Sequence, residues 1–176
     1  MHKPTQPNRS GVATQQDTVY TKEETAIWII NYFKPEGSIL DASAGGNAFY
    51  NNFTNGQKYR CEITEGIDFF RWDRVVDWII TNPPYSIYDC FLQHCFGIAD
   101  NVVLFVPLAK AFKSNKVQKM VSDYGGLREI VYMGSGGKHG FKVGFPVGCL
   151  YYQRNYKGNC KITDEATNED KPDTTC

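Results

Sequence analysis

The 176-residue sequence has little of what marks a membrane, secreted or metal-dependent protein. Its three histidines and six cysteines form no CxxC pair and no zinc-type spacing, so no metal site is expected. Cys61, Cys90, Cys95 and Cys149 lie in apolar segments, which suits reduced, buried thiols acting as small hydrophobes. No run approaches the roughly 20 apolar residues needed to span a bilayer, and no membrane partner is expected. The opening "MHKPTQPNRSGVATQQD" lacks the apolar centre of a signal peptide, so an intracellular, soluble protein is the expectation. Charge of one sign is also missing: 19 Lys and Arg balance 19 Asp and Glu. A basic footprint for nucleic acid must therefore be local rather than global. No His–Asp or Ser–His constellation points to nucleophilic catalysis.

What is present suits one α/β domain. The chain is 41% apolar and 22% charged, and its length allows one full core. Residues 1–18 and 157–176 are polar, the latter with three lysines against five acids, and both are expected to be flexible ends around a domain at 19–156. Helical spacing of Ala26, Ile29, Ile30 and Phe33 predicts a helix over 22–33, closed by Pro35. Short apolar segments predict strands at 38–42, 58–63, 75–80, 101–106, 127–133 and 147–154. Helices are expected at 87–98 and 109–122. This alternation implies a mainly parallel sheet flanked by helices, with an antiparallel last strand because no helix separates the final two strands.

In open α/β sheets ligands lie beyond the carboxyl ends of the strands, and three such ends carry unusual residues. In "LDASAGGNAF", 40–49, Gly45 and Gly46 let the backbone approach a ligand, and Asn47 is the residue best able to imitate glycine at positive φ. Glu62 ends a strand roughly 20 residues beyond that loop, a position suited to ribose hydroxyls. Asp68 in "EGIDFF" could accept from an adenine amino group while Phe69 packs on its ring. The third strand end, "TNPPYS", is the most unusual, since two adjacent prolines occur at a given site about once in 400 by chance.

Together these segments resemble the amino-group methyltransferases that use S-adenosylmethionine, most closely the DNA N6-adenine enzymes. "NPPY" resembles their Asp/Asn-Pro-Pro-Tyr/Phe motif, "DASAGGNAF" their Asp-Pro-x-x-Gly-x-Gly-x-Phe loop, and "VYTKEETAIWII" the segment preceding it. Lys22 and Ala42 stand where the pattern has Pro, and Asn47 stands for its second Gly. The resemblance covers about 20–108 and implies a Rossmann-like class I methyltransferase fold. It places S-adenosyl-L-methionine against Tyr20, Thr21, Asp41, Ser43, Ala44, Gly45, Phe49, Glu62, Ile63, Asp68, Phe69 and Asn82. It assigns catalysis to Asn82, Pro83, Pro84 and Tyr85.

The chemistry behind such a motif is that an exocyclic amine is a weak nucleophile, its lone pair being delocalised into the ring. The Asn82 side-chain oxygen and the Pro83 carbonyl can each accept one N–H, directing the lone pair at the methyl donor, while Pro84 stiffens the loop. Tyr85 offers a face for the base. In duplex DNA this geometry demands base flipping. DNA contacts are expected from the glycine-rich loop 134–146, with Lys138, His139 and Lys142 on phosphates and Phe141 wedging or stacking. Lys110, Lys113, Lys116 and Lys119 would form a broad basic helix face or an ordinary solvated surface. RNA adenine, protein glutamine and a regulatory subunit without activity remain alternatives, because the tetrapeptide is shared among the enzymes. A partner chain could supply specificity for DNA, and a phage or mobile element would suit a small enzyme of this kind.

Overall fold

The computed structural model describes residues 19–165 except 55 and 143. The described elements are α1 (Glu23–Phe33), β1 (Ser38–Asp41), α2 (Ala48–Asn52), β2 (Gln57–Arg60), β3 (Val76–Thr81), α3 (Tyr88–Ile98), β4 (Ala99–Pro107), α4 (Asn115–Tyr124), β5 (Gly125–Ser135), β6 (Pro146–Arg154) and β7 (Lys161–Asp164). The strands form one sheet in the order β2-β1-β3-β4-β6-β5-β7.

Every pairing is parallel except those of β6, which runs antiparallel between β4 and β5, with Leu104 opposite Leu150 and Ile130 opposite Leu150. The expected antiparallel strand is thus present, and it is inserted inside the sheet. Side chains alternate across the pleat, so adjacent residues enter different cores. Ile79, Val102 and Leu104 pack under α3 and α4 against Phe91, Leu92 and Val117. Ile80, Val103 and Phe105 pack on the other face with Ala26, Ile29 and Phe49 of α1 and α2. Burial on both faces is why β3 and β4 show continuous apolar runs.

Three expectations need correction. The helix expected over 109–122 is broken: Leu108–Phe112 is a 3-10 turn, Ser114 is extended, and its hydroxyl accepts the Val117 N–H at 3.3 Å to start α4. The four lysines therefore share no helix face. Lys113 pairs with Asp89 at 2.6 Å, and Lys119 pairs with Asp123 within α4. Second, part of the expected flexible tail is structured. β7 pairs with β5, and Lys161 and the Thr163 hydroxyl both engage Glu129. A four-residue edge strand is too short and too exposed to show an apolar period. Third, Cys90 is exposed, whereas Cys61, Cys95 and Cys149 are buried thiols. Residues 1–18 and 166–176, the rest of the expected flexible ends, lie outside the described residues.

Candidate active site

The carboxyl ends of β1, β2 and β3 converge because β1 pairs with both neighbours, placing Asp41 beside Arg60 and Leu40 beside Ile79. The loop after β1 is held from both sides. The Ser43 N–H donates to the Thr81 hydroxyl (3.1 Å), Ala44 N–H to the Cys61 carbonyl (2.9 Å), and Gly45 N–H to Glu62 Oε2 (2.7 Å). Gly45 takes φ 49°, and a Cβ there would sit 3.2 Å from the Tyr20 ring. Tyr20 therefore lies across the glycines while remaining 63% exposed.

Asp41 is fully buried at the head of this loop. Its Oδ1 accepts from the Thr81 hydroxyl at 2.7 Å, whereas Oδ2 accepts no hydrogen bond. Burial pushes its carboxyl up to about 7, against the pull of Thr81 and Ser43. Burial also acts to raise Glu62, but the Thr64 backbone and hydroxyl, the Gly45 N–H and nearby Arg60 outweigh it and hold the carboxyl below its ordinary value. Glu62 is thus an ionised acceptor.

The tetrapeptide follows β3 directly. The Asn82 amide nitrogen donates to the Val19 carbonyl (3.2 Å) and the Thr21 hydroxyl (3.1 Å). Its oxygen accepts from the Tyr85 hydroxyl at 2.5 Å. The nitrogen is thereby tethered to the segment before α1, which leaves the oxygen on the Tyr85 side. Pro83 is buried and Pro84 has φ −66°, opening a 3-10 turn over Tyr85–Ile87. Lys110 donates to the Tyr85 carbonyl at 3.1 Å and lies 6.0 Å from that ring's centroid. Tyr85 also stacks on Phe141, with centroids 6.0 Å apart and planes 17° from parallel.

The structure brings together Tyr20, Thr21, Asp41, Ser43, Ala44, Gly45, Glu62 and the whole tetrapeptide. Several other expected residues play different parts. Phe49 is a core side chain under α2. Phe69 is buried 4.5 Å from Phe91 and edge-on to His94, so the exposed apolar groups on this side are Ile63, Ile67 and Phe70. Asp68 caps the turn Phe69–Arg71 through the Phe70 N–H.

In the loop after β5, Lys138 and Lys142 are exposed as expected for cationic contacts. His139 is not. It is buried, with Nδ1 3.0 Å from the Thr25 hydroxyl and Nε2 2.7 Å from the Met133 carbonyl, so it anchors the loop instead of meeting a phosphate. Phe141 is likewise buried, edge-on to Phe105 and Phe145, and backs Tyr85 rather than wedging outward. Thr81 and Arg60 carry no distinctive local signal, and their contributions emerge only once β1, β2 and β3 are aligned. Among the described residues no cluster of His, Cys, Asp or Glu is arranged to hold a metal, and no helix is long and apolar enough to cross a membrane.

No protein-family model matches the chain, and no curated protein matches it significantly. Solved structures do. A protein described as the modification subunit of a type I restriction enzyme from Vibrio vulnificus YJ016 aligns with TM-score 0.64 at 15% identity, over 90% of this chain and 49% of that one. The methyltransferase subunit of a type I restriction-modification system from Streptococcus thermophilus gives 0.65 at 15%, over 88% and 49%. A protein described as a class I S-adenosylmethionine-dependent methyltransferase from Listeria monocytogenes gives 0.60 at 11%, over 89% and 68%. The chain spans about half the length of the first two. At these identities the likeness is one of fold. The fold is the Rossmann-like fold of class I methyltransferases, as the sequence implied.

Proposed function

We propose that the protein transfers a methyl group from S-adenosylmethionine to the N6 amine of adenine in DNA, with the base flipped out of the stack. The observation that carries this reading is Asn82 at the exit of β3. Its nitrogen is fixed by Val19 and Thr21, so its oxygen faces the stacking residue Tyr85. A carbonyl-type oxygen has two lone pairs, and the Tyr85 hydroxyl takes one, leaving one for a substrate N–H. The second acceptor in this reading is the Pro83 carbonyl, and the proline pair prevents the two from drifting apart.

The loop suits the cofactor. When bound, S-adenosylmethionine supplies an activated methyl on a sulfonium. Asp41 offers an unpartnered buried carboxylate oxygen where a cationic ligand would replace its missing partner. Glu62 Oε2 holds only Gly45, which leaves a lone pair for a ribose hydroxyl. Tyr20 would cover the ligand where it crosses the glycines. No strong base is needed, since the proton can leave after the methyl has moved. The residues supply position and polarity. The exposed Lys138 and Lys142 rim the same edge and would meet phosphates. Two of the similar structures are type I restriction-modification subunits, which favours DNA over RNA or protein and suits a second chain that supplies specificity.

The test is transfer of labelled methyl onto duplex DNA, single-stranded DNA, RNA and protein in parallel, with digestion to locate the methylated atom. Label on adenine N6 of DNA is expected. Label confined to RNA or protein overturns the substrate assignment. Asn82→Ala should abolish transfer, a loss of at least about a hundredfold by analogy with removing one oriented polar group from an active site, while calorimetry still detects cofactor binding. Wild-type turnover by that variant refutes the mechanism.

A further inference from the structure

The junction between the glycine-rich loop and α2 is made by a residue that carries a side chain where the backbone is left-handed. Asn47 has φ 65° and ψ 19°, its N–H donates to the Ala44 carbonyl at 2.7 Å, and its own carbonyl accepts the Asn51 N–H at 2.9 Å to start the helix. Glycine adopts this conformation freely, and asparagine, though it enters it more readily than other side chains, still needs a reason to stay there. The reason lies on the neighbouring strand. Arg60, opposite Asp41 in the register, donates from Nη1 to Asn47 Oδ1 at 3.1 Å. The same guanidinium is held by both oxygens of Glu65 at 2.8 and 2.6 Å. It also lies 5.6 Å from the Tyr50 ring.

We propose that Arg60 is a positioning residue: braced by Glu65, it holds Asn47 in the left-handed conformation and so fixes the loop that cradles the methyl donor. This rests on reading the loop as the cofactor cradle. The physical case is the fork geometry of arginine, which can satisfy a carboxylate and an amide oxygen at once in a fixed relative orientation. The arrangement also closes a circuit. Glu65 lies in the 3-10 turn Ile63–Glu65, whose cap, Glu62, accepts the Gly45 N–H. The loop is thus gripped at Gly45 by Glu62 and at Asn47 by Arg60, two groups at the carboxyl end of β2.

The experiment is a double-mutant cycle of Arg60→Met with Asn47→Gly, read by amide hydrogen exchange over residues 41–49 in the ligand-free protein and by the calorimetric Kd for S-adenosylmethionine. Arg60→Met alone should speed exchange and raise Kd by roughly tenfold, as expected for losing a charge-assisted hydrogen bond. In the Asn47→Gly background the same change should move both readouts by less than about twofold, because glycine needs no tether. Equal penalties in the two backgrounds overturn the proposal, as does an Arg60→Met protein with unaltered exchange. If Arg60→Met does not fold, Arg60→Lys replaces it, since one ammonium lacks the rigid fork, and the same comparison decides. A wild-type protein that binds no S-adenosylmethionine refutes the cofactor reading, and the exchange readout still decides the role of Arg60.

Discussion

The two loops flanking Asn82-Pro83-Pro84-Tyr85 are secured by opposite means. The loop after β1 is tied by polar bonds: Ser43 to Thr81, Ala44 to Cys61, Gly45 to Glu62 and Asn47 to Arg60. The loop after β5 is plugged by Phe141, seated among Tyr85, Phe105 and Phe145, with His139 bonded beneath it. Polar bonds fix individual backbone groups to tenths of an ångström, which suits a surface that grips a small charged ligand. An aromatic plug backed by the two hydrogen bonds of His139 fixes the base of a loop and leaves its exposed cations free to conform to a larger partner. The difference also predicts different sensitivities. Packing should fail by loss of volume, and the polar loop should respond to pH.

The largest effect is expected on the packed side. Phe141→Ala should cost about 3 kcal/mol of unfolding free energy through the cavity it opens, and activity should fall further because Tyr85 loses its stacking partner. A chemical denaturation midpoint matching wild type would show that the plug contributes nothing.

The polar side should reveal itself through Asp41. Its folded carboxyl value lies above the ordinary one, so the protonated form is favoured by the fold. That contribution is fully present below the unfolded value and is lost as pH rises through about 7. Asp41→Asn removes the titration. In ligand-free protein the stability of the variant relative to wild type should therefore rise between pH 5 and pH 8 by about 2.5 kcal/mol, read as a relative thermal-midpoint gain of roughly 5–10 °C. A difference independent of pH would contradict the burial of that charge.

The smallest effect should come from the outer cations. Lys138→Ala with Lys142→Ala should leave folding and cofactor affinity unchanged, weaken DNA binding by roughly tenfold at low salt, and flatten the dependence of log K on log salt by about 2. An unchanged slope would remove these lysines from the phosphate contacts.

These contrasts also explain what was legible in the sequence. The run from Val75 to Ile80 and the proline pair after it are local signals, so β3 and the tetrapeptide could be placed from residue order alone. Gly45 and Glu62 were legible because a strand end followed by glycine restricts what the backbone can do. His139 reads as an outward loop cation in the sequence because its partners, Thr25 and the Met133 carbonyl, meet it only when α1 packs on the hairpin. Phe69 and Phe70 are neighbours with the same side chain, and which ring turns inward emerges only when the turn packs on Phe91 and His94 of α3. The break before α4 rests on the Ser114 cap and the 3-10 turn Leu108–Phe112, which the expected continuous helix over 109–122 does not contain. Arg60 sits at the end of a polar strand, and nothing in its neighbourhood announces that it reaches the far side of another loop.

The pairing of Ser135 with Pro146 closes the neck of the β5–β6 hairpin. The stretch between them is seated by Phe141 and by His139, which bonds Thr25 and Met133. Its exposed positions, Lys138 and Lys142 among them, could be recharged or exchanged without shifting a strand, so long as those two anchors keep their seats. Altered target preference could thus evolve, or be engineered, by rewriting one short stretch of chain while the chemistry beside it stays in place.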